Sequence, residues 1–158
     1  MLSQGPVYGL RCSIGVHGAI SGELRAMNGI TDGGITRITS HHPVATTVER
    51  LESLLKERGV MIFARIDFSG DAARAGLTML PEQMLIFGNP KAGTPLMQSA
   101  PRAGLDLPLK ALVWENADGT TSVAYNDPQY IVGRHGLDAP LGANLAAVVP
   151  LIERAAGA

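Results

Sequence analysis

Cysteine is almost missing from this chain: Cys12 stands alone among 158 residues, so no internal disulfide contributes to stability, which fits a reducing compartment. Charge is sparse as well. With 17% charged residues and a formal net charge of -1, there is no basic field to hold a phosphate backbone, and nucleic acid is not an expected partner. No apolar run approaches the ~20 residues of a membrane span. Arg11 and several glycines also interrupt the first segment where a signal peptide needs a continuous apolar stretch. Membrane association is therefore not expected, and a cytoplasmic location is. Catalytic signatures are missing too, since no serine sits in a G-x-S-x-G elbow and no H-E-x-x-H motif occurs.

What is present is apolar mass. With 46% hydrophobic residues, the chain can bury one self-sufficient core and is too short for two ordinary domains. Residues 1–33 are rich in glycine and show no sustained period of 2 or 3.6, so they read as a poorly ordered N-terminal extension. Met27 is the expected functional start, and residues 34–158 are the expected domain.

From Gly34 onward the patterns sharpen. Residues 34–40 are β-branched and read as a first strand. Thr46 and Glu49 have the spacing of a capping box, and Val48, Leu51, Leu54 and Leu55 form one apolar stripe that ends at Gly59. Residues 60–68 read as a central strand with Ile62, Ala64 and Ile66 facing that helix. A short helix capped by Ser69 follows. Residues 84–87 are a buried strand, and residues 109–115 and 120–125 form a hairpin through Ala117-Asp118-Gly119. Trp114 and Tyr125 are expected to meet across that pair or to line a cavity. Asn126 or Asp127 with Pro128 opens a helix stopped by Gly136, and Pro150 kinks or restarts the last helical stretch.

The chain is organised around Gly88-Asn89-Pro90-Lys91-Ala92-Gly93-Thr94-Pro95. Thr94 reads as an N-cap with Pro95 at the first helical position. A strand leading through a glycine-bordered turn into a helix start would leave free amides beside Lys91, a geometry that suits an anion. Because no lysine follows Gly93, the P-loop pattern fails.

Several stretches together resemble the bacterial and archaeal family called domain of unknown function 302. They are Phe63-Ala64-Arg65-Ile66-Asp67, the run from Leu85 through Met97, Gly104-Leu105-Asp106-Leu107-Pro108-Leu109-Lys110, and Tyr125-Asn126-Asp127-Pro128. The resemblance covers roughly residues 34–137. It implies an α+β fold of the TATA-binding-protein type, an antiparallel sheet of about five strands with helices packed on one face, in a single domain often seen as a homodimer. It implies no activity.

The candidate ligand-binding residues are Asn89, Lys91, Gly93 and Thr94 at the turn, Arg65 and Asp67 on the same face of one strand, and Trp114. Charges on an inward face need partners, so Arg65 and Asp67 are expected to pair with each other or with Lys110 and Glu115. His41, His42 and His135 supply metal-ligand types without a chelating spacing, so no metal site and no cofactor are expected. His135, near a helix C-terminus, has a simpler role in satisfying end carbonyls. The reading is a non-catalytic, homodimeric domain that binds a small anionic or amphipathic ligand. The alternative is a small enzyme, hydrolytic in kind, using Asp67, Glu115 or His135 as acid or base.

Overall fold

A computed structural model describes residues 29–157. The expectations placed on residues 1–28, including a start at Met27, lie outside the described residues. An antiparallel sheet of six strands in the order β1-β2-β6-β5-β4-β3 forms the frame. The five expected strands are all there. The sixth, β1 (Gly29–Asp32), pairs with β2 (Ile35–Ser40), with Asp32 opposite Ile35. This corrects the boundary drawn at residue 33, because the sheet begins before it. Gly33 and Gly34, both at positive φ (57 and 83), form the two-residue turn that matches the twist of the two strands.

The helix-side face of the sheet carries Leu85, Phe87, Ala111, Val113 and Val123, all 1% exposed or less. Helix α1 (Val44–Glu57) lays its stripe of Val48, Leu51, Leu54 and Leu55 on this face. Burying each such aliphatic side chain contributes about 1.5–3 kcal/mol. The capping box is not what starts α1. The helix begins earlier, with Pro43 as N-cap and no side-chain cap; the Pro43 carbonyl accepts from the Thr47 amide at 2.9 Å and the Thr47 hydroxyl at 3.0 Å.

Strand β3 (Met61–Asp67) is an edge strand rather than a central one, and a register break between Ile62 and Ala64 divides it. Ile62 opposes Phe87 on the helix side, whereas Ala64 and Ile66 oppose Ile86 and Met84 on the other face. One extra residue in a strand reverses the side-chain alternation beyond it, which corrects the expectation that all three face α1. Helix α2 (Phe68–Arg74) is capped by Asp67 rather than Ser69: the Asp67 carboxylate accepts from the Gly70 amide at 2.9 Å and from the Ser69 hydroxyl at 2.7 Å.

Strand β4 (Glu82–Gly88) leads into α3 (Pro90–Ser99), and a 3₁₀ turn at Pro101–Leu105 delivers the chain to β5 (Leu109–Glu115) and β6 (Thr121–Asn126). Helix α4 (Pro128–His135) is capped by Asp127 and closed by Gly136 at φ 64, as the sequence indicates. Pro150 restarts the chain after α5 (Ala139–Ala146), opening α6 (Val149–Ala156), which packs on α1 and β2.

Candidate functional site

The turn after β4 is built differently from its sequence reading. Asn89, not Thr94, caps α3: its side-chain oxygen accepts from the Lys91 amide at 2.9 Å. Its backbone carbonyl accepts from the amides of Ala92 and Gly93, each at 2.9 Å. Pro90 has no N–H to offer. Every amide from residue 91 to residue 93 therefore already has a partner within the chain, and the backbone cradle for an anion at Gly93 is filled. Pro95 lies inside the helix rather than at its start.

Beside the turn is open space. A cavity of about 430 Å³ is walled by Val60 and Phe63, by Met97 of α3, by Leu107, and by Leu145 and Leu151 from α5 and α6. Phe63 is the residue at the β3 register break, and it is half exposed. Gly88 allows its ring to approach: a Cβ on Gly88 would sit 3.2 Å from Phe63 Cε2 and 3.6 Å from Pro108 Cβ. Asn89, Gly93 and Thr94 line the mouth, whereas Lys91 is exposed and does not line it.

The other expected site residues lie elsewhere. Arg65 donates to the Gln83 side chain at 3.0 and 2.8 Å and comes within 3.8 Å of Glu52 on α1. Asp67 is held below the usual carboxylate range by the Gly70 amide and then the Ser69 hydroxyl, so its low pKa reflects helix capping rather than tuning for catalysis. Trp114 opposes Ser122, while Tyr125 opposes Ala111, which puts the two aromatics on opposite faces of the sheet. They do not meet. The indole N–H donates to Asn116 at 3.0 Å, and the Arg37 guanidinium lies 5.1 Å from the ring centroid.

His135 pairs with Asp106, its Nε2 lying 2.6 Å from Oδ2, instead of satisfying helix-end carbonyls. Among the described residues no group of three metal-type side chains converges, and no helix is long and apolar enough to cross a membrane. A second cavity of about 450 Å³ lies between β2, β6 and α6, lined by Tyr125, Asp127 and Glu153. Burial, then the charges of Glu153 and Asp127, push the Tyr125 phenol up to about 12. Asp67, Glu115 and His135 line neither cavity.

Sequence reasoning missed the far wall of the turn cavity. Arg58, Asn144 and Val148 reach it only through tertiary packing. One signal was available: five apolar residues in succession, Val60-Met61-Ile62-Phe63-Ala64, break the alternation that Arg65 and Asp67 resume.

Residues 36–153 match the family described as domain of unknown function DUF302, and the chain belongs to that family. A solved structure of an uncharacterised conserved DUF302 protein from Bacillus stearothermophilus superposes with a TM-score of 0.65, at 22% identity, over 80% of this chain and 98% of that one; the likeness shows the fold. Two curated relatives, fluoride-specific ion channel FluC 1 of Brucella suis and of Brucella abortus, are each 42% identical over 111 residues, or 70% of this chain. The chain spans 44% and 41% of their lengths.

Proposed function

We propose that this member of the DUF302 family is a non-catalytic, dimeric domain that binds a small molecule in the cavity beside the β4–α3 turn. The observation that carries the reading is the cavity itself: about 430 Å³, within the roughly 300–1,000 Å³ typical of ligand sites, mainly apolar, with a few polar groups at its mouth. Asn89, Gly93 and Thr94 serve this site as its rim. The enzyme alternative gains no support, because its candidate acids and bases do not share a pocket and Asp67 is engaged as a helix cap.

Dimerisation is supported by apolar side chains left in solvent. Leu77 is 67% exposed and Leu80 48%, and a second copy would cover them. Light scattering at micromolar concentration is expected to return twice the chain mass; the monomer mass would remove this element.

Native mass spectrometry of protein purified without added ligand tests the binding reading. A small-molecule adduct is expected on the wild type and lost in Ala147→Trp, which fills the cavity from an exposed lining position. An adduct of equal occupancy in both would count against the site.

A second reading rests on the channel relatives. In them a stretch like this one is joined to a larger remainder, so this domain would serve fluoride handling as an accessory that senses its ligand. Cells lacking this chain would then show altered fluoride sensitivity, and unchanged sensitivity would argue against it.

A further inference from the structure

Resting on the binding reading and deepening it, we infer that the ligand of the turn cavity is an amphipathic monocarboxylate, a medium-length apolar chain ending in one anionic head. The walls argue for the chain. Val60, Phe63, Leu145, Val148 and Leu151 present aliphatic and aromatic surface, against which a polar body would lose its water without replacement.

The rim argues for the head. Arg58 is the one charged side chain among the described residues lining the cavity. Among those residues its guanidinium has no hydrogen-bond or ion-pair partner. The backbone of Arg58 is held at the end of α1, where its amide donates to the Leu55 carbonyl at 3.1 Å, and its exposed side chain keeps available the planar fork of donors that suits a carboxylate. Asn89 and Asn144 stand on the same cavity, and the Asn89 amide NH₂ is left over once its oxygen has accepted from Lys91.

A cationic head would meet Arg58 unfavourably, and an uncharged one forgoes the charge-assisted bond. The second cavity has the opposite sign, with Asp127 and Glu153 and no Lys, Arg or His among the described residues lining it. A carboxylate is repelled there, so one site per chain follows.

Isothermal titration of the full chain with octanoate, octan-1-ol and octylammonium tests this. Octanoate is expected to saturate at one per chain and to bind more tightly than either of the others. Arg58→Gln weakens octanoate about tenfold, the loss of roughly one charge-assisted hydrogen bond, and leaves octan-1-ol within about twofold, which also reports an intact cavity. Ala147→Trp removes binding of both. If that variant does not fold, the Met97 methyl resonance of the wild type decides the location, since Met97 lines the cavity; octanoate that leaves it unmoved overturns the assignment. Equal affinity for octanoate and octan-1-ol, a preference for octylammonium, or an Arg58→Gln loss common to both overturns the carboxylate while leaving the cavity reading intact. No binding by any of the three overturns both.

Discussion

Nε2 of His135 lies 2.6 Å from Oδ2 of Asp106, with the two side chains only 3% and 10% exposed. The pair ties the end of α4 to the segment that leads into Leu107 at the cavity wall. Arg134 adds a 3.1 Å contact to the other carboxylate oxygen. Nδ1 of His135 is buried without a hydrogen-bond partner among the described residues, so the interaction with Asp106 is the one that compensates burial of the ring. Removing Asp106 leaves the His135 ring desolvated and unpaired, and removing His135 leaves the Asp106 carboxylate with the Arg134 contact alone. Asp106→Ala and His135→Ala are each expected to cost about 3 kcal/mol, and the double variant at least ~1 kcal/mol less than their sum. Urea unfolding of the four proteins checks this, and strict additivity would contradict it.

The raised Tyr125 phenol gives a pH dependence of definite sign. The folded chain binds this proton more tightly than the unfolded chain, so the contribution is fully present below pH ~10 and is lost as pH rises through about 12. The loss is at most about 3 kcal/mol. In Tyr125→Phe the fall in stability between pH 9 and 12 should be shallower by that amount. Absorbance at 295 nm should show one phenol ionising late in the wild type and missing in the variant.

Gly34 is required by its turn. It sits at φ 83, and a Cβ there would collide with the Tyr130 ring, while its carbonyl accepts from the Asp127 amide at 2.8 Å. Gly34→Ala is expected to cost more than ~2 kcal/mol through strain and clash together. Adding Tyr130→Ala should recover the clash but not the strain. Full recovery in thermal unfolding would show that the backbone conformation is unimportant.

At the β4–α3 turn, Asn89→Ala should cost about 1 kcal/mol, the usual loss of a helix N-cap. Because the amides of Lys91, Ala92 and Gly93 already have partners, millimolar phosphate should not stabilise the wild type. Phosphate-dependent melting temperature that vanished on changing Lys91 would reinstate the anion cradle.

These cases show what the sequence could convey. The stripe of α1, the helix start at Pro128, and the inward face Leu109, Ala111 and Val113 were legible, because each is a local pattern that matches its element, although the choice of Asp127 over Asn126 as cap was left to the structure. The edge strand at Gly29–Asp32 was not, since four residues are too few to show a period, although Gly33-Gly34 after them is a hairpin signal. The direction of Ala64 and Ile66 was misread because a bulge is decided by the partner strand. Of the residues that line the turn cavity, Asn89, Gly93 and Thr94 were singled out through turn chemistry, whereas Arg58 and Asn144 arrive from the end of α1 and from α5 and carry no local mark. Asp106 was invisible as a partner of His135 for the same reason, since the two lie 29 residues apart in the chain.

The most direct test of the account is where a small amphiphile sits. With methyl-¹³C methionine labelling, octan-1-ol is predicted to shift the Met97 resonance, which lines the turn cavity. The Met84 resonance, on the opposite face of the sheet, should stay in place. A saturable shift of Met84 with Met97 unmoved would contradict the account.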